Sequence, residues 1–216
     1  MGGTPKSPVE ATLAYAQEFH PEDDILRAAR RRGEEVGAAP IMPGGGAALC
    51  FLASAINAKA VVEIGTGCGV SGLWLLRGMR PDGTLTSVDV EPEHQRLARE
   101  AFSQAGFAGG RTRLIAGRAL DVLPRLADGG YDMVFADGAR HEYPDYLAEA
   151  VRVLRVGGIV VFDHALWQDR VADPAQRDPD TVVIRELGKL VRGDDRLRPL
   201  LIPLGDGLLA AVKIAG

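Results

Sequence analysis

From residue 60 onward the sequence predicts an α/β fold: a doubly wound, mostly parallel sheet that ends in a C-terminal antiparallel hairpin. Three observations carry this. Short apolar runs alternate with longer amphipathic stretches up to residue 192. The first run, Ala60-Val-Val-Glu-Ile64, leads into a turn with glycines at Gly65, Gly67 and Gly69. Near the end, Leu197 to Leu204 and Leu208 to Ile214 flank Gly205-Asp-Gly207. Strands that alternate with helices form a parallel sheet covered on both faces, whereas two β-rich runs around a glycine turn pair antiparallel.

Taken in order, residues 8–19 and 21–36 have helical spacing. Pro21-Glu-Asp-Asp24 puts acids in a first turn, where they suit the helix dipole. Ile41-Met-Pro-Gly-Gly-Gly46 reads as a loop, followed by an apolar helix over Ala47 to Asn57. Strand 60–64 then leads to helix 70–80, strand 84–89 to helix 92–105, and strand 111–116 to helix 118–127. Strand 131–136 leads to helix 142–155, and strand 158–162 to helix 175–192. There is no internal repeat and no sign of a second globular unit.

Composition narrows the function classes. The chain has 216 residues, 46% of them hydrophobic, enough for one sizeable core. A formal net charge of −4 gives no footprint for nucleic acid, and no apolar run is long enough for a membrane span. Cys50 and Cys68 lack metal-finger or C-x-x-C spacing, so reduced thiols and a cytoplasmic location are expected. Met1 to Pro8 reads as a disordered start. The Arg27 to Arg32 cluster reads as the solvated face of a helix, and His20 and His94 as surface histidines. The apolar N-terminal helices suggest a homodimer.

The turn after the first strand reads as a binding loop for a nucleotide-like ligand, since glycines let backbone approach a ligand closely. A dinucleotide G-x-G-x-x-G pattern would need glycine where Val70 stands, which argues against a nicotinamide cofactor. Asp89 ends the second strand, where a carboxylate can accept both hydroxyls of a ribose. Ligands of such sheets bind beyond the carboxyl ends of the strands. The fourth and fifth strands end in Asp137 and Asp163, with His164 next in the chain. Two carboxylates at one rim repel unless something positive lies between them, and a divalent cation is the common solution. Read singly, either acid could instead cap the segment that follows it.

These features, in this order, resemble the cation-dependent O-methyltransferases related to the caffeoyl-CoA and catechol enzymes. The resemblance spans Ile41 to Lys213. It rests on Asn57-Ala-Lys, Val-Val-Glu63-Ile-Gly-Thr-Gly, Ser71, Pro81-Asp-Gly83, Asp89 and Gly117-Arg-Ala119-Leu. It continues through Asp137 with Tyr143, Gly157-Gly158 leading to Asp163-His164-Ala-Leu-Trp167, and Pro203-Leu-Gly-Asp-Gly-Leu208. It implies a Rossmann-like methyltransferase domain over 41–216, with 1–40 as an N-terminal helical extension. It also implies an S-adenosylmethionine site. Glu63, Gly65 and Thr66 would hold the methionine end with help from Ser71, Asp89 would take the ribose, Val90 and Ala119 would flank the adenine, and Ile41 would contribute from the preceding loop. Asp137, Asp163 and His164 would ligate a divalent cation, magnesium or manganese, that holds the hydroxyl of a small aromatic or catechol-like acceptor. Asp137 would border cofactor and metal alike.

Three positions depart from the family pattern. His164 replaces an Asn, and imidazole suits manganese, iron or zinc better than magnesium. Arg140 replaces a Lys that can act as base, and a guanidinium keeps its proton at neutral pH. Ala139 replaces the second acid of an Asp-x-Asp. Arg140 is therefore expected to orient an anion or the acceptor, with His141 or His164 as the candidate base. Two alternatives stay open: metal-independent methyl transfer on the same fold, and a non-catalytic S-adenosylmethionine-binding protein.

Overall fold

The computed structural model describes residues 7–107 and 109–216. Of the segment expected to be a disordered start, residues 1–6 lie outside the described residues. Ser7 and Pro8 instead open a helix: the Ser7 hydroxyl accepts from the Glu10 N–H, Glu10 accepts from the Ser7 N–H, and Pro8 takes the first turn.

Three helices, α1 (Pro8–Glu18), α2 (Asp24–Glu35) and α3 (Pro43–Ala55), precede the sheet. Next come β1 (Ala60–Ile64), α4 (Val70–Gly78), β2 (Thr84–Asp89), α5 (Pro92–Gln104), β3 (Thr112–Ala116), α6 (Ala119–Val122) and β4 (Tyr131–Ala136). The chain ends with α7 (Tyr143–Val153), β5 (Leu154–Phe162), α8 (Pro179–Gly193), β6 (Leu197–Ile202) and β7 (Leu208–Lys213). The seven strands lie in the order β3-β2-β1-β4-β5-β7-β6. Pairs from β3 to β5 are parallel, and β7 runs antiparallel to both β5 and β6. After β3 the chain returns to the other side of β1, so a crevice opens where β1 and β4 diverge at their carboxyl ends, the usual ligand position in such sheets.

The period-two alternation of strands divides the core into two layers. Val61, Met133, Phe135 and Val161 join the layer under α2 to α5, with Leu26, Leu49, Trp74 and Phe102. Val62, Val134, Val160 and Phe162 join the layer under α7 and α8, with Tyr143, Leu147, Leu187 and Val191.

Several expectations need correction. The 41–46 loop is helical from Pro43. Gly46 is there for packing: a Cβ on it would lie 2.3 Å from the Trp74 indole nitrogen. The helix expected over 118–127 is one turn of α6 followed by a 3-10 turn, Leu123–Arg125, because Pro124 cannot donate to an α-helix. α8 begins at Pro179, capped by Asp178, rather than at 175. The helical extension is also not separate as a whole. α2 places Leu26 and Ala29, both fully buried, in the first core layer. Nor is its arginine cluster simply solvated, since Arg30 turns inward to a two-pronged pair with Glu22.

Candidate active site

The crevice holds a cavity of about 380 Å³. Its walls come from the turn after β1, the ends of β2, β3 and β4, the segment before α3, and His164 after β5. Gly65 sits at φ 93°, and a Cβ there would lie 2.3 Å from the Asp137 carbonyl oxygen, so the turns after β1 and β4 touch only because this residue has no side chain.

Of the residues expected to hold a cofactor, Ile41, Gly65, Thr66, Ser71, Asp89, Val90, Ala119 and Asp137 all line this cavity. Asp89 also shapes the loop, its two oxygens accepting the N–H groups of Gly67 and Glu91 at 2.9 Å each. Glu63 does not line it. This carboxylate has no exposed surface and accepts from Ser71 Oγ at 2.6 Å and Ser87 Oγ at 2.5 Å. The expectation of a direct ligand contact gives way to a prop beneath the loop. Burial pushes the Glu63 carboxyl up to about 7, although both serine hydrogen bonds pull the other way.

Asp137, Asp163 and His164 come together, each offering one ligand atom within 4.8 Å of the others. Asp163 is buried at 2% exposure, and that burial, with Asp137 beside it, pushes its carboxyl up to about 7. The Asp163 Oδ1 accepts the His164 N–H at 2.7 Å. The His164 ring lies between two acids: Nδ1 is 2.8 Å from Asp206 Oδ2 and Nε2 is 3.4 Å from Asp137 Oδ1. Burial opposes a charged ring, but the two carboxylates outweigh it and push His164 up to about 10. The ring thus places positive charge between the paired acids.

His141 does not join the cluster. Its side chain is 76% exposed and lies outside the cavity wall. Arg140 does line the cavity, with its guanidinium carbon 3.9 Å from the Trp167 ring centre.

Several site residues were missed by sequence reasoning. His94, expected on the surface, lines the cavity with Nδ1 3.6 Å from Asp89 Oδ2. Its place in the first turn of the helix that follows Asp89 was the available signal. Glu142 and Tyr146 also line the wall. Tyr146 donates to Glu142 at 2.6 Å, and Arg118 pairs with the same carboxylate at 2.9 Å. Asp206 had no local signal, because the hairpin brings it back from far along the chain.

A sequence profile described as O-methyltransferase matches residues 22–214, nearly the whole chain. The chain belongs to the O-methyltransferase family. Within the family, an inferred O-methyltransferase of Mycobacteroides abscessus is 54% identical over 96% of this chain and 97% of its own. Among solved structures, the O-methyltransferase TomG of Streptomyces achromogenes, involved in tomaymycin synthesis and solved with S-adenosylmethionine, is 28% identical. It has a TM-score of 0.84 and covers 95% of this chain and 96% of its own. An O-methyltransferase of Bacillus cereus solved with S-adenosylhomocysteine is 25% identical, with a TM-score of 0.83, over 94% of this chain and 97% of its own. The same doubly wound sheet expected from the sequence is therefore the family's scaffold here.

Proposed function

We propose that this O-methyltransferase moves a methyl group from S-adenosylmethionine to a hydroxyl of a small aromatic or catechol-like acceptor, assisted by a divalent cation. The observation that carries the reading is that one cavity is lined by Asp89 and the glycine loop together with Asp137 and His164. In that reading Asp89 accepts from the ribose, Ala119 and Val90 border the adenine, and Ser71 and the Gly65-Thr66 backbone hold the methionine end. S-adenosylmethionine supplies a methyl group activated by its sulfonium. The acceptor oxygen forms the new C–O bond as the C–S bond breaks. The sulfonium becomes a thioether, and the hydroxyl proton leaves to a base. Fixing both partners in one crevice makes the step effectively unimolecular.

Two carboxylate oxygens and an imidazole nitrogen within 4.8 Å are a donor set suited to a cation such as manganese or zinc, and less to magnesium. A bound cation supplies Lewis acidity that eases loss of the hydroxyl proton. For that, Asp206, which faces Nδ1, would hold the ring proton there and leave Nε2, on the Asp137 side, as the ligand atom.

The second reading is metal-independent, and the observation favouring it is the His164 ring held between Asp137 and Asp206. There the imidazolium stands in for the cation, and Asp137, on the cavity wall, takes the hydroxyl proton.

The test is transfer of labelled methyl to a panel of catechols, with and without chelator and with magnesium, manganese or zinc restored. Loss with chelator and recovery with manganese supports the first reading; activity indifferent to chelator supports the second. Absence of transfer together with tight S-adenosylhomocysteine binding would favour a non-catalytic binding protein.

We also propose that the chain works in the cytoplasm on a small molecule rather than on nucleic acid, as a homodimer. Among the described residues no helix is long and apolar enough to cross a membrane. α1 buries none of its residues and exposes Val9, Leu13, Tyr15 and Phe19, a face suited to a second copy. Sedimentation of the full chain tests the dimer.

A further inference from the structure

The arginines that border this fold's interior are mostly spoken for. Arg30 pairs with Glu22, Arg118 with Glu142, Arg152 with Glu149 and Arg155 with Asp132. Arg140 is different. It lines the cavity beside Asp137 and His164, yet among the described residues no hydrogen bond or ion pair engages its guanidinium, and its Nε is buried without a partner. A buried donor without a partner costs free energy unless a ligand completes it.

The side chain is nevertheless fixed. Its guanidinium stacks on Trp167 at 3.9 Å, and the His164 ring meets the same indole edge-on at 5.7 Å. Trp167 is held there by a costly backbone. Trp167, Gln168 and Asp169 adopt φ of 48°, 53° and 64°, a left-handed run that non-glycine residues avoid. Asp206 fastens the run, its Oδ1 accepting the Gln168 N–H at 2.6 Å and its carbonyl the Leu166 N–H at 2.8 Å. The same aspartate holds His164. One residue thus sets both the group at the reacting end and the platform under Arg140.

We infer that Arg140 is an anion-recognition group for the acceptor, and that the acceptor is an aromatic hydroxyl compound carrying a carboxylate. A planar guanidinium binds a carboxylate through two parallel hydrogen bonds. A single free positive group matches a monoanion, whereas a dianionic phosphate would meet Asp137, Asp163 and Asp206 nearby. This inference takes the hydroxyl half of the acceptor from the methyl-transfer reading, while the carboxylate half stands on Arg140 alone.

The test is calorimetry on the full chain saturated with S-adenosylhomocysteine, titrated with 3,4-dihydroxybenzoate and its neutral counterpart 3,4-dihydroxybenzyl alcohol. Wild type should bind the carboxylate about ten-fold or more tightly, the difference expected for one charge-assisted pair. Arg140→Gln should reduce that preference to less than two-fold, and Arg140→Lys should keep part of it, as a point charge without the fork. Benzoate against benzyl alcohol repeats the comparison with no hydroxyl to methylate, so the charge preference is read even if the acceptor class proposed above is wrong. Equal binding of the two ligands by wild type overturns the inference, as does a preference that survives Arg140→Gln. A third overturning result is weaker S-adenosylhomocysteine binding in Arg140→Gln, because the guanidinium would then serve the cofactor's own carboxylate. Thermal melts of both variants confirm that they are folded.

Discussion

The Nδ1 of His164 lies 2.8 Å from Oδ2 of Asp206, although 42 positions separate them in the chain. Burial alone would raise the Asp206 carboxyl, but His164 and the Gln168 N–H hold it below the usual carboxylate range. The β6–β7 turn therefore orients the ring of a residue at the end of β5 and favours its charged form.

Asp206→Asn keeps the side chain's shape and removes its charge. The His164 ring, now held up by Asp137 and Asp163 alone, should titrate at least one unit below its present value of about 10. Histidine-resolved NMR across the pH range measures this directly, and an unshifted titration would mean that Asp206 contributes little to the charge on the ring.

Asp89→Ala should weaken S-adenosylhomocysteine binding by about 1.5 to 3 kcal/mol, roughly ten-fold or more, the scale of a lost charge-assisted hydrogen bond. The same change frees the Gly67 and Glu91 N–H groups, so loop disorder should accompany it. Calorimetry gives the first quantity, and hydrogen exchange at residues 65–69 the second.

Glu63 makes stability depend on pH. Its folded pKa, about 7, stands above the ordinary 4.5, so the folded state prefers the protonated acid. The contribution is fully present below about pH 4.5 and is lost as pH rises through 7, a penalty of roughly 3 kcal/mol at one pKa unit per 1.36 kcal/mol. Glu63→Gln keeps both serine partners without the titration. Denaturant melts of wild type and variant should converge at low pH and separate above pH 7, the variant being the more stable.

Gly46→Ala should lower stability by about 1 to 3 kcal/mol, the usual cost of overpacking, because the new methyl meets the Trp74 ring. A thermal melt should fall by several degrees, and an unmoved melting point would mean that the Trp74 ring yields to the new methyl without cost.

Much of the fold could be read in advance, because strands such as Ala60–Ile64 and Thr84–Asp89 are apolar runs bounded by glycine or acid, and the sheet places their ends together by rule. The Asp137, Asp163 and His164 cluster was legible for the same reason. Illegible features depended on partners remote in sequence. Gly44-Gly45-Gly46 spells a loop until Trp74 and Gln17 are seen to need the room. Glu63 looks like a ligand contact until Ser71 and Ser87 close over it. Arg30 looks solvated until Glu22 turns under it.

The strand order has a consequence for how the site comes into being. β6 precedes β7 in the chain but pairs only with it, while β7 occupies the place beside β5. β6 therefore reaches the sheet only through β7, and the turn between the two strands is held in place by β7's pairing with β5. That pairing brings Asp206, in the turn, to His164. The cavity wall formed after β1, β2 and β3 owes nothing to the hairpin, whereas the setting of His164 depends on it.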